Sequence, residues 1–129
     1  MKNEITAIVP TFYEWPDSWK YVEQDHLYGK RILEHFEAFA LHMISKKLSK
    51  KTITTHLNNL WLAGGELIRK ISNEEDYEMN PVDLILENFG DCGGPFCRHL
   101  NSPAEENSYD STGRKFYRFM KESSRTSRE

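Results

Sequence analysis

Apolar residues recur along most of this chain at steps of three and four and nowhere alternate for long with period two. That is the pattern of helices that each bury one face. The spacing predicts a first long helix from about Asp25 to Ser45, with Tyr28, Ile32, Phe36, Phe39 and Met43 on its buried stripe. A second starts at Ser49, whose hydroxyl suits an N-cap, and runs to about Ile71 on Ile53, Leu57, Leu60, Gly64, Leu67 and Ile71. Asn80-Pro81-Val82-Asp83 opens a third with a cap, a proline at the first position and an acid in the first turn. This helix carries Val82, Ile85, Leu86 and Phe89 and stops at Gly90. Ser102-Pro103 opens the last, which sets Tyr109, Thr112 or Gly113, Phe116, Phe119 and Met120 opposite Arg114, Lys115, Arg118 and Lys121. The expected fold is all-α, a compact bundle of four main helices with Phe36, Phe39, Leu57, Leu60, Ile85 and Phe116 in its core.

Punctuation sets the remaining organisation. Residues 1–24 read as an extended N-terminal arm lying over the core and burying Phe12, Tyr13 or Trp15, with Asp17 capping a short turn to Val22. Residues 25–122 form the helical domain, and the polar residues 123–129 a frayed tail. Gly64-Gly65 lowers helix stability by roughly 1 kcal/mol per glycine relative to alanine, which favours close helix–helix approach there over a kink.

Composition narrows the function classes. Hydrophobic residues make up 38% of the 129 residues, enough for one core, and no apolar run approaches the ~20 residues that span a bilayer. Two cysteines build no disulfide framework, so a cytoplasmic address without a membrane is the expectation. The net charge of −3 conceals a segregation. Residues 26–60 carry six Lys/Arg against two Asp/Glu, residues 72–110 one against ten, and residues 111–129 six against two. Two basic segments therefore flank an acidic one, and binding to an anionic partner would need a local basic face, not bulk charge.

No catalytic constellation is found, and the expectation is a non-enzyme without cofactor or metal. Cys92, Cys97 and His99 supply at most three of the four ligands of structural zinc, and Cys97 and His99 as near neighbours are no nucleophile–base signature. The glycines at 90, 93 and 94 lack the lysine and hydroxyl ending of a phosphate loop and read as a turn. Trp15, Trp19, Trp61 and Phe96 could stack on bases, but at these positions they read first as core.

What remains is the junction of the first two long helices. Lys46, Lys47, Lys50 and Lys51 crowd the N-terminus of the helix that Ser49 caps, where free backbone N–H groups suit a phosphate. The segment from His26 to Ile71, with the turn Lys46-Lys47-Leu48-Ser49, the helix start Ser49-Lys50-Lys51-Thr52-Ile53 and the last helix through Arg114-Lys115-Phe116, resembles the core-binding (SAM-like) domain of tyrosine recombinases, the phage-integrase family. A lysine stands where that family commonly has glycine before the leucine. The resemblance implies a SAM-like bundle clamping duplex DNA, with Lys47, Ser49, Lys50, Lys51 and Thr52 at the phosphates, and the charge cluster adds Lys46 to that candidate site. It also implies a stand-alone, non-catalytic module of mobile-element or prophage type, since 129 residues leave no room for the family's catalytic domain. The alternative is a protein–protein interaction module, an inhibitor or adaptor, using the same bundle without DNA.

Overall fold

A computed structural model describes the backbone of residues 2–128 and the side chains of residues 4–123. Among them are six α-helices: α1 (Lys2–Ile8), α2 (Trp15–Trp19), α3 (Glu23–Ser45), α4 (Lys50–Glu74), α5 (Pro81–Asn88) and α6 (Pro103–Arg128). A 3-10 turn spans Phe12–Glu14, and the described residues contain no strand, only an isolated bridge between Gly90 and Gly93. The all-α expectation holds, and α3 to α6 are the four main helices. Ser123 is exposed, and residues 124–128 of the segment expected to fray are described only by their backbone, as part of α6 to Arg128.

The centre of the bundle is aromatic. Phe116 of α6 stands edge-on to Phe36 at 5.2 Å, Phe39 at 5.4 Å and Phe89 at 5.1 Å, centroid to centroid. Such edge-to-face pairs add roughly 0.5–1.5 kcal/mol each to the area they bury. Around them Leu57, Leu60, Leu67, Ile71, Leu84 and Ile85 have no solvent exposure. The six expected core residues are all buried. α3 packs on α2 and α4, α4 on α6, and α5 closes the space between α3, α4 and α6.

The N-terminal arm is not extended, contrary to expectation; it folds into α1, the 3-10 turn and α2. Pro16 falls in the first turn of α2, where its fixed φ suits a helix and its missing N–H costs nothing. Helices of seven and five residues are too short to be stable alone or to display a period, so packing decides them. Ile5, Phe12, Trp15 and Trp19 are buried, and Phe12 and Trp15 meet at 4.6 Å. Asp17 caps nothing. It lies inside the first turn of α2 and pairs instead with Lys20 at 3.0 Å.

A buried carboxylate joins this arm to the bundle. Asp25, in the first turn of α3, accepts the N–H of Tyr21 at 2.9 Å and of Val22 at 3.2 Å, and the Tyr77 hydroxyl at 2.7 Å. Burial pushes its pKa up, but these donors together outweigh burial and hold it below the ordinary carboxylate value. The close helix approach expected at Gly64-Gly65 is present, between α4 and α2. The indole of Trp19 lies against Gly64, with Nε1 donating to the Trp61 carbonyl at 3.0 Å.

Candidate nucleic-acid interface

Helix α3 ends in a turn that its sequence does not obviously permit. Lys46 is the C-cap, and Lys47 follows in the left-handed region at φ 60°. The Lys47 N–H bonds the Ile44 carbonyl at 2.9 Å and the Leu48 N–H the Met43 carbonyl at 3.3 Å. This paired closure normally places glycine where Lys47 stands. The chain then extends at Ser49, φ −64° and ψ 152°, and enters α4. Ser49 Oγ accepts the Thr52 N–H at 3.1 Å and donates to Thr52 Oγ1 at 2.9 Å. The N–H groups of Lys50 and Lys51 remain without an intrahelical acceptor, as at any helix start.

Lys46, Lys47, Ser49, Lys50, Lys51 and Thr52 are all exposed, and none of the four lysines forms an ion pair with a described residue. The six residues named from the sequence therefore lie together on one turn. A cluster of like charges that forms no ion pair with a described residue, beside two free backbone donors at the positive end of a 25-residue helix, can hold an anion.

The structure adds residues that the sequence did not place here. A groove of about 390 Å³ opens beside the turn between α3, α4 and α6, lined by Met43, Lys46, Leu48, Lys115, Arg118 and Phe119 among others. Lys115 and Arg118 belong to the basic face expected on the last helix, now set across from Lys46. Beneath them His56 is buried, its Nδ1 2.7 Å from Thr112 Oγ1. Asn59 Nδ2 donates to Thr112 Oγ1 at 2.9 Å and to Ser108 Oγ at 3.1 Å. Burial, and then the nearby Lys115 ammonium, hold the His56 imidazole below its ordinary pKa. Its only sequence signal is a histidine on the flank of the α4 stripe, and that fits many roles.

The other chemical candidates disperse. Trp15 and Trp19 are core; Trp61 is 41% exposed, with Nε1 donating to Ser18 Oγ at 3.0 Å, and Phe96 is 83% exposed. Cys97 is buried, and burial pushes its thiol up, away from the reactive thiolate, while Cys92 is exposed. No group of three or more His, Cys, Asp or Glu among the described residues could hold a metal ion. The glycine loop is a turn lying on α6, where Gly113 admits the backbone of Gly93 and Gly94. No described helix is long and apolar enough to cross a membrane. No protein-family model, curated protein or solved structure matches the chain.

Proposed function

We propose that this chain is a non-catalytic helical module that binds duplex DNA through the turn from Lys46 to Thr52, as its resemblance to a recombinase core-binding domain implies. In this reading the SAM-like arrangement presents the α3–α4 turn to one side of the duplex. Lys46, Lys47, Lys50 and Lys51 meet phosphates as point charges. The N–H groups of Lys50 and Lys51 and the hydroxyl of Thr52 donate to phosphate oxygens, while the Ser49 hydroxyl stays bonded to Thr52 Oγ1.

The observation that carries the reading is Lys47 at φ 60°. A side chain in the left-handed region costs roughly 1–2 kcal/mol that glycine would not incur. A lysine kept at such a position, exposed and making no ion pair with a described residue, is what a need for charge would select.

The test is fluorescence anisotropy with labelled duplexes of several sequences between about 50 and 200 mM salt. Binding should weaken steeply with salt and depend little on sequence. Replacing Lys50 and Lys51 with alanine should reduce the slope of log K against log salt by about 1 for each lysine. A wild-type protein that binds no duplex at low salt would end the proposal.

A further inference from the structure

We infer that the groove between α3, α4 and α6 is a docking site for an acidic amphipathic helix of a protein partner. The inference stands on residues outside the turn as well as on Lys46, and it does not depend on DNA binding. The groove floor is apolar: Met43 and Phe39 from α3, Phe119 from α6, and Leu48, which is 42% exposed at the open edge. The Phe119 ring lies tilted against Phe39 at 5.4 Å and His42 at 5.0 Å, centroid to centroid. The rim is net cationic. Lys46, Lys115 and Arg118 stand around it against one carboxylate, Glu122, and none of the three cations forms an ion pair with a described residue. Lys115 Nζ donates to the Ser111 hydroxyl at 3.1 Å.

Each half of this arrangement excludes one kind of occupant. A phosphate backbone laid over Met43, Leu48 and Phe119 would lose hydration without gaining donors from the floor. A purely apolar ligand would cover the floor but leave three cations at its edge with Glu122 as their one carboxylate among the lining residues. An amphipathic helix satisfies both, because its apolar stripe fills the floor while carboxylates on its flanks reach the rim. A floor of methionine and aromatic rings adapts readily to such a stripe. The partner is therefore recognised by leucine-like anchors at helical spacing flanked by aspartate or glutamate.

The experiment uses the full chain, isotope-labelled for amide NMR, and a synthetic helical peptide of about 16 residues, above the marginal length for helix formation. The peptide carries Leu at i, i+3 or i+4 and i+7 with Glu on the flanks, and a control carries Lys in place of Glu. The Glu peptide should move the amides of Leu48, His56, Lys115 and Phe119, and the Lys peptide should not. Lys115→Glu with Arg118→Glu should weaken Glu-peptide binding by roughly tenfold or more. Leu48→Glu, at an exposed position, should do the same without disturbing the rest of the spectrum. Equal binding of both peptides, or groove amides that stay still at about 1 mM peptide, a ligand level that saturates only millimolar or tighter sites, would overturn the proposal. So would duplex DNA that shifts these amides where the Glu peptide does not, which would make the groove a phosphate surface. Because the peptide titration contains no DNA, its outcome is read independently of the anisotropy experiment.

Discussion

Two adjacent glycines in α4 should respond oppositely to the same substitution. A Cβ built on Gly64 would lie 2.5 Å from Trp19 Cη2 and 2.9 Å from Cε2, and closer still to Cζ2. Restoring ordinary contact at about 3.5 Å requires the indole to withdraw by roughly 1 Å. Trp19 has little freedom to do so. It is 6% exposed, packed against Trp15 and Phe36, and tied by Nε1 to the Trp61 carbonyl at 3.0 Å. Overpacking of this kind costs roughly 1–3 kcal/mol, and a stranded indole N–H about 1–3 more. Against this, replacing glycine by alanine inside a helix gains about 1 kcal/mol. Gly64→Ala should therefore destabilise by about 1–5 kcal/mol, the balance of these terms. At Gly65 the nearest atom to a new Cβ is Trp19 Cδ1 at 3.5 Å, an ordinary contact. There the helix term wins, and Gly65→Ala should stabilise by about 0.5–1 kcal/mol. Urea denaturation followed by tryptophan fluorescence measures both as shifts in midpoint at constant slope. Adding Trp19→Phe should recover part of the Gly64→Ala loss but none of its own cost in the wild type, a coupling that a double-mutant cycle reads directly. If Gly64→Ala stabilises as much as Gly65→Ala, Trp19 does not lie on Gly64 and the placement of α2 is wrong.

Other outcomes follow from the turn and from the buried carboxylate. Lys47→Gly removes a side chain from φ 60° and should raise stability by about 1 kcal/mol while weakening duplex binding; a loss of stability would show that the turn is not left-handed. Asp25→Asn turns one acceptor oxygen, which now receives donors from Tyr21, Val22 or Tyr77, into an NH₂ group, and should cost about 2 kcal/mol by thermal denaturation at neutral pH. Because the folded pKa of Asp25 is depressed, its contribution is complete above the ordinary carboxylate pKa and declines as pH falls through the lower folded value. The gap between wild type and Asp25→Asn should therefore narrow on acidification, and a gap that is constant down to pH values below the ordinary carboxylate pKa of about 3.9 would refute the assignment.

The parts of this fold that were legible are those whose signal is local and long. The stripes of α3 and α4 repeat over about four and five turns, and Asn80 announces α5 by a cap that the structure contains, its Oδ1 accepting the Val82 N–H at 2.8 Å. The turn was legible for the same reason, because Ser49 and its lysines are contiguous. The arm was misread because prolines and aromatics without a period look alike in extended chain and in short packed helices. Gly64 signalled close approach, but nothing in the sequence pairs it with Trp19, 45 positions earlier. The groove was illegible for a related reason: Lys46 and Arg118 are read as separate basic segments until α4 and α6 are laid side by side. His56 and Thr112, 56 residues apart, become partners only then.

That pairing also explains how a chain of net charge −3 can present a basic surface. His56 meets Thr112 and Asn59 meets Ser108, so residue numbers rise along α4 as they fall along α6, and the two helices are antiparallel. The basic start of α4 therefore lies beside the half of α6 that bears Lys115 and Arg118, while Glu105 and Glu106 in the first turn of α6 lie toward the other end. From Glu106 to Arg118 the helix rises about 18 Å. At physiological salt the Debye length is about 8 Å, so the acidic end scarcely offsets the field at the basic end. At about 0.01 M salt the Debye length grows to about 30 Å and the two ends no longer act separately. Affinity for any polyanion should then rise with falling salt along a line that bends over at the lowest concentrations. Charge-neutralising Glu105→Gln and Glu106→Gln should straighten that line without changing affinity near 0.15 M, where the short Debye length of about 8 Å already isolates the basic end. A line straight to the lowest salt in the unmodified protein would mean that the acidic residues lie elsewhere than this helix pairing puts them.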